Sequence, residues 1–132
     1  MSNYYEYFNP NPKGLETGDC IIRSLCKVTN LSWYEIFDKL IIFSRENCIM
    51  PNEGDSKMLE QMMNYFGLTR CKIPKLQKGM PAYNVLRFCK EHPSGKYVIR
   101  LARHVIGVVD GKIYDLHSGW LHSQVYTYYQ LK

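Results

Sequence analysis

The sequence predicts an α+β fold, with N-terminal helices packed on one face of a C-terminal antiparallel β-sheet. Apolar residues recur at helical spacing between residues 20 and 91, while β-branched and aromatic residues gather after Gly95. Asp110-Gly111 adds a two-residue hairpin signal inside the second part. Helices first and strands last give segregated layers, so the other face of the sheet is expected to be partly solvated. At 132 residues and 45% apolar composition, the chain can bury one core, and a single domain over residues 1–132 is expected.

Residues 1–18 hold Asn9-Pro10-Asn11-Pro12, Gly14 and Gly18, a density of turn formers that predicts an extended arm. The first helix is expected from about Cys20 to Val28, with Ile21, Leu25 and Val28 buried and Asn30 as its terminator. Ser32-Trp33-Tyr34-Glu35 is a capping box opening a second helix to about Arg45, with Trp33, Ile36, Phe37, Leu40 and Ile41 inward. Asn47 to Asp55, with Pro51 and Gly54, reads as a loop. Asp55 or Ser56 then caps a third helix through Met58, Leu59, Met62, Met63 and Phe66, ending at Gly67. Cys71-Lys72-Ile73 predicts a short strand. Pro81 at the first helical position starts a fourth helix over Ala82 to Glu91, with Val85, Leu86 and Cys89 inward, and His92-Pro93 stops it. Four strands follow, over Lys96 to Leu101, His104 to Val109, Lys112 to Leu116 and Gln124 to Tyr129.

Five cysteines at irregular spacing, without a Cys-x-x-Cys pair, argue against a zinc cluster, and the odd count argues against a disulfide framework. No metal or other cofactor is expected. Met1 to Tyr7 does not read as a signal, and no apolar run approaches a membrane span, so a cytoplasmic protein with no membrane partner is expected. The net charge of +5 biases the chain mildly toward acidic partners, but Lys and Arg are scattered, which argues against nucleic acid as a partner.

The chemistry centres on Thr17-Gly18-Asp19-Cys20-Ile21-Ile22-Arg23-Ser24-Leu25. A thiol at a helix N-terminus faces unpaired N–H groups and the positive end of the helix dipole, which favour the thiolate. The same groups can receive the oxyanion of an acyl-transfer intermediate. A base is offered downstream. With a type I′ turn at Asp110-Gly111, Val109 pairs with Lys112, Ile106 falls opposite Asp115 and His104 opposite His117. His104, Ile106, Val108, Ile113, Asp115 and His117 then share one face, whose apolar residues suit meeting a helix; if that helix is the one starting at Cys20, nucleophile and base converge at its N-terminal end. Asp115, a diagonal neighbour of His104, is expected to hold Nδ1 and leave Nε2 toward Cys20. His117 is the competing partner for the ring. Cys26, Cys48, Cys71 and Cys89 read as structural, Arg23 as an exposed helical charge, and His92 and His122 as solvent-exposed loop histidines.

Gly18-Asp19-Cys20 opening a helix, Arg103-His104-Val105 opening a strand and Asp115 on the next resemble a papain-like (clan CA) cysteine peptidase. Asp19-Cys20 followed by Arg23-Ser24-Leu25 is also similar to the nucleophile motif of ovarian-tumour-type deubiquitinases and of peptidases that cleave bacteriocin leaders. The resemblance covers the catalytic skeleton rather than the whole chain. It implies a papain-like fold and a catalytic set of Cys20, His104 and Asp115. Members of the family often carry a Gln shortly before the Cys as an oxyanion donor, where this chain has Gly14, Leu15, Glu16 and Thr17; Asn11 or the Cys20 N–H is the expected substitute. Asp19 supports the site, and Trp120, in Ser118-Gly119-Trp120, is placed to shield the third member. Two functions follow as expectations. One is a small thiol hydrolase cleaving a peptide or isopeptide bond of a protein or peptide partner, or an acyltransferase of the same triad. The other is a weak or inactive papain-like binding protein, such as an inhibitor or counter-defence factor of a phage or mobile element.

Overall fold

The computed structural model describes residues 3–52 and 55–132; the expected loop residue Gly54 lies outside them. Its strands are β1 (Tyr5–Tyr7), β2 (Leu68–Cys71), β3 (Lys96–Leu101), β4 (His104–Val109), β5 (Lys112–Asp115) and β6 (Thr127–Leu131). They form one mixed sheet in the order β1-β5-β4-β3-β6-β2. The helices are α1 (Cys20–Thr29), α2 (Trp33–Asn47), α3 (Ser56–Tyr65) and α4 (Val85–Glu91).

Local chemistry explains the helix ends. Asn30, at φ 61°, takes the left-handed conformation that closes α1, and its N–H donates to Cys26 O. Ser32 and Glu35 form the reciprocal capping box of α2. Asp55 caps α3 by accepting from Lys57 N and Met58 N. The fourth helix differs from expectation: its cap is Asn84, whose side chain accepts from Arg87 N at 2.9 Å. Tyr83 O accepts from Val125 N, so the chain after Pro81 is still paired with the C-terminal segment where a helix was expected.

The hairpin at Asp110-Gly111 has the expected register, Val109 opposite Lys112 and Val108 opposite Ile113. Both turn residues have positive φ, 51° and 74°, as a type I′ turn requires. Three expectations need correction. The arm before α1 contributes β1, which runs parallel to β5 and makes the sheet mixed; at three residues its aromatic-charged-aromatic Tyr5–Tyr7 is too short for the alternation to announce a strand. The short strand lies earlier than expected, at Leu68–Cys71, pairing with β6. β6 itself is displaced to Thr127–Leu131, with Gln124 left in an isolated bridge to Asn84.

The sheet is covered on both faces. Ile21, Ile22, Leu25 and Val28 of α1, Ile36 and Leu40 of α2, and Leu59, Met62 and Met63 of α3 pack with Val98, Val105 and Tyr129. The alternate residues Tyr97, Ile99, Leu101, Ile106, Val108 and Ile113 pack instead with Tyr83, Val85, Phe88 and Cys89 at α4 and with Val125. The second face is therefore buried rather than partly solvated, because α4 and the segment after Trp120 cover it. It also follows that α1 lies on the face opposite Ile106 and Val108. α1 crosses β4 at Gly107, where an added Cβ would stand 3.2 Å from Ser24 O and 3.4 Å from Lys27 Cβ. That closeness sets the approach of the helix carrying Cys20 to the strand carrying His104.

No helix among the described residues is long and apolar enough to cross a membrane.

Candidate active site

Cys20 is the first residue of α1 and His104 the first of β4, so the packing of that helix on that strand brings their ends together. Cys20 is half-buried and shares a cleft with His104 and Val105. Burial alone would push the thiol up. The His104 side chain and the Val105 N–H, with the charges of His104 and Arg23, outweigh it and hold Cys20 below the ordinary thiol value. By contrast Cys26 and Cys89, buried without such partners, are pushed up to about 12.

His104 Nε2 lies 2.8 Å from Asp115 Oδ2. The neighbours on the hairpin are as the register required, but the ring nitrogens are exchanged relative to expectation. Asp115 takes Nε2, which leaves Nδ1 as the nitrogen for the sulfur. Burial would lower the His104 pKa, but the hydrogen bonds and charges of Asp115 and Cys20 reverse this and raise it to about 9. Asp115 is itself 1% exposed, and burial there disfavours charge; bonding to His104, the Arg23 guanidinium and the Leu116 N–H bring it below the usual carboxylate value. His117, the competing partner, is exposed.

Arg23 corrects a further expectation. It is 3% exposed rather than solvated, and its Nε donates to Asp115 Oδ1 at 2.7 Å while Nη1 donates to Asp19 Oδ1 at 2.8 Å. Asp19 Oδ2 in turn accepts from Trp33 Nε1 at 2.8 Å and from Asn11 Nδ2 at 3.4 Å. A chain of hydrogen bonds, buried at its Arg23–Asp115 centre, thus runs Trp33–Asp19–Arg23–Asp115–His104, with Cys20 beside its end. The one available signal was the spacing Asp19-x-x-x-Arg23, a favourable charge pair across one helical turn.

Asp19 has a second consequence. It occupies the N-cap position of α1 yet makes no side-chain cap bond, because its carboxylate is committed to Arg23, Trp33 and Asn11. The first amides of α1 thereby stay clear of a capping carboxylate on the side where an oxyanion would form. Asn11 is directed to Asp19 rather than to the sulfur. Its carbonyl accepts from Lys13 N and Leu15 N, so it stiffens the loop before Cys20 instead of supplying the oxyanion donor. Trp120 stacks on the His104 ring itself, centroids 4.2 Å apart and planes at 17°, and so shields the imidazole more directly than the carboxylate. His122 is exposed as expected, whereas His92 is half-buried, stacked on Phe88 with Nδ1 2.8 Å from Phe88 O.

Two clefts meet at Cys20 and His104. The larger, about 710 Å³, runs along α2 past Trp33, Phe37 and Ile41. The smaller, about 290 Å³, is lined by Leu59, Leu101, Arg100 and Arg103. Phe37 and Ile41 were expected to face inward, but they are 38% and 39% exposed and form the wall of the larger cleft, while Ile36 and Leu40 go to the core. Among the described residues no group of His, Cys, Asp and Glu is arranged to hold a metal ion. No family model matches the chain, and no curated protein or solved structure matches it either, so its functional reading rests on this geometry.

Proposed function

We propose that this protein is a papain-like thiol hydrolase that cleaves a peptide or isopeptide bond of a protein or peptide substrate through an acyl-enzyme on Cys20. The observation that carries the reading is one side-chain constellation: a helix-terminal thiol sharing both clefts with His104, whose Nε2 is held by Asp115 at 2.8 Å. In the first half-reaction the Cys20 thiolate attacks the scissile carbonyl carbon, and the oxyanion is received by the N-terminal amides of α1. The C–N bond then breaks as His104 Nδ1–H passes its proton to the leaving amine. In the second, His104 Nδ1 takes a proton from water, the hydroxyl attacks the thioester, and Sγ leaves as thiolate beside a restored imidazolium. One water is consumed, and one carboxyl and one amine are released. Asp115 keeps the ring oriented and stabilises its charged form throughout.

The test is incubation with a mixed peptide library in H₂¹⁸O, read by mass spectrometry. New carboxyl termini carrying ¹⁸O, lost in Cys20→Ala and in His104→Ala, are the expected result. Absence of any cleavage, together with Cys20 alkylation no faster than that of exposed Cys48, would overturn the reading in favour of a binding protein.

A further inference from the structure

Arg103 stands where both clefts meet, beside Cys20 and His104, and it is exposed. It makes no ion pair among the described residues. Its backbone is at φ 56°, in the left-handed region that favours Gly or Asn at the second position of a two-residue turn. Leu101 and His104 pair directly, so Ala102 and Arg103 are the whole turn. A long cationic side chain is thus held in an unfavourable backbone conformation at the lip of the site, a combination typical of functional positions. Arg100 lines the same smaller cleft. The larger cleft offers the opposite chemistry: Trp33 and Phe37 stack at 5.1 Å with planes 10° apart, and Ile41 extends the platform by one turn. Glu16, also in the larger cleft, is engaged by Tyr7 Oη at 3.1 Å.

We infer that the substrate lies across Cys20 with an apolar side chain on the Trp33–Phe37–Ile41 platform and a carboxylate, from an acidic side chain or a chain terminus, on Arg103. This rests on the hydrolase reading for the word substrate, but the two halves of the site can be read without turnover. Iodoacetate and iodoacetamide alkylate a thiol by the same displacement and differ in charge. Their rate ratio at Cys20 is expected to fall about threefold to tenfold in Arg103→Ala, the size of one partly screened charge pair, and to be retained in Arg103→Lys. Salt should compress the wild-type ratio. Arg103→Gly should lower the ratio equally while raising the unfolding midpoint, since it relieves the strained φ. For the platform, iodoacetanilide should lose its advantage over iodoacetamide in Phe37→Ser.

Protection of Cys20 identifies the carboxylate's source. N-acetyl-Phe-Asp-amide protecting best indicates a side chain, and N-acetyl-Phe-Ala with a free terminus protecting best indicates a chain end. Equal protection by N-acetyl-Phe-Asn-amide, or an iodoacetate ratio unchanged by Arg103→Ala, overturns the inference. If the ratio behaves as expected while no peptide is cut and Cys20 is alkylated no faster than Cys48, the hydrolase reading falls while the carboxylate site stands.

Discussion

The affinities of Cys20 and His104 for protons move toward each other, the thiol's down and the imidazole's up to about 9, and both shifts favour thiolate beside imidazolium. Chemistry that needs only the nucleophile therefore differs in pH dependence from chemistry that also needs the acid. Alkylation of Cys20 by iodoacetamide is expected to begin below the ordinary thiol range of about 8.5 and to persist above it. Peptide hydrolysis should fall as pH rises through about 9, because deprotonated His104 cannot supply the leaving amine's proton. An alkylation profile that tracks an ordinary thiol would remove the basis for the mechanism. Arg23 is the second residue whose chemistry is decided by burial. It bridges the carboxylates of Asp19 and Asp115, each almost fully buried, so its loss strands both. Arg23→Met is expected to cost about 3–5 kcal/mol in urea unfolding. Arg23→Lys should recover only part, since one ammonium cannot reproduce the two-armed geometry. A cost under about 1 kcal/mol would mean that water or a shifted side chain takes over the bridge.

At the scale of elements, the site depends on how closely α1 approaches β4, and Gly107 controls that distance. The nearest group to an added Cβ is the Ser24 carbonyl, which is fixed in the helix and cannot swing aside as a flexible side chain could. Gly107→Ala is therefore expected to destabilise by about 1–3 kcal/mol and to slow Cys20 alkylation, because the helix must lift from the strand that holds His104. Unchanged alkylation with lowered stability would place the adjustment elsewhere along α1. This dependence was only partly legible in the sequence. The Ser32–Glu35 box, the Asn30 stop and the Asp110-Gly111 register were readable because each is set by residues adjacent in the chain. The ring nitrogen that Asp115 takes, the side of the sheet on which α1 lies, and the burial of Arg23 are set by contacts across as many as 92 residues. No local pattern encodes them. β1 was hidden for a different reason: its three residues are too few for an alternating pattern to stand out, and its place is set by backbone pairing with β5.

For the whole molecule, the same site ties stability to pH on two sides. His104 binds its proton more tightly when folded, about 9 against an ordinary value of 6.5. Its contribution is thus fully present below about 6.5 and is lost as pH rises through about 9, because over that interval the folded state holds a proton the unfolded chain has released. Asp115 has the opposite sign. Its folded pKa lies below the ordinary 3.8, so its contribution is present above that value and lost as pH falls through the lowered folded one. Between these limits the charged pair is intact, and wild-type stability should be greatest there. The check is the difference in unfolding midpoint between wild type and His104→Gln across pH. That difference should be largest between about 5 and 6.5, shrink steadily above neutrality and flatten beyond about 9, with the decline displaced to lower pH in Cys20→Ala, which lacks one of the groups that raise His104. A difference that grew with pH would require the folded imidazole to prefer its neutral form. In that case the acceptors Asp115 and Cys20 would not outweigh burial, and the acid that the proposed hydrolytic step depends on would be missing.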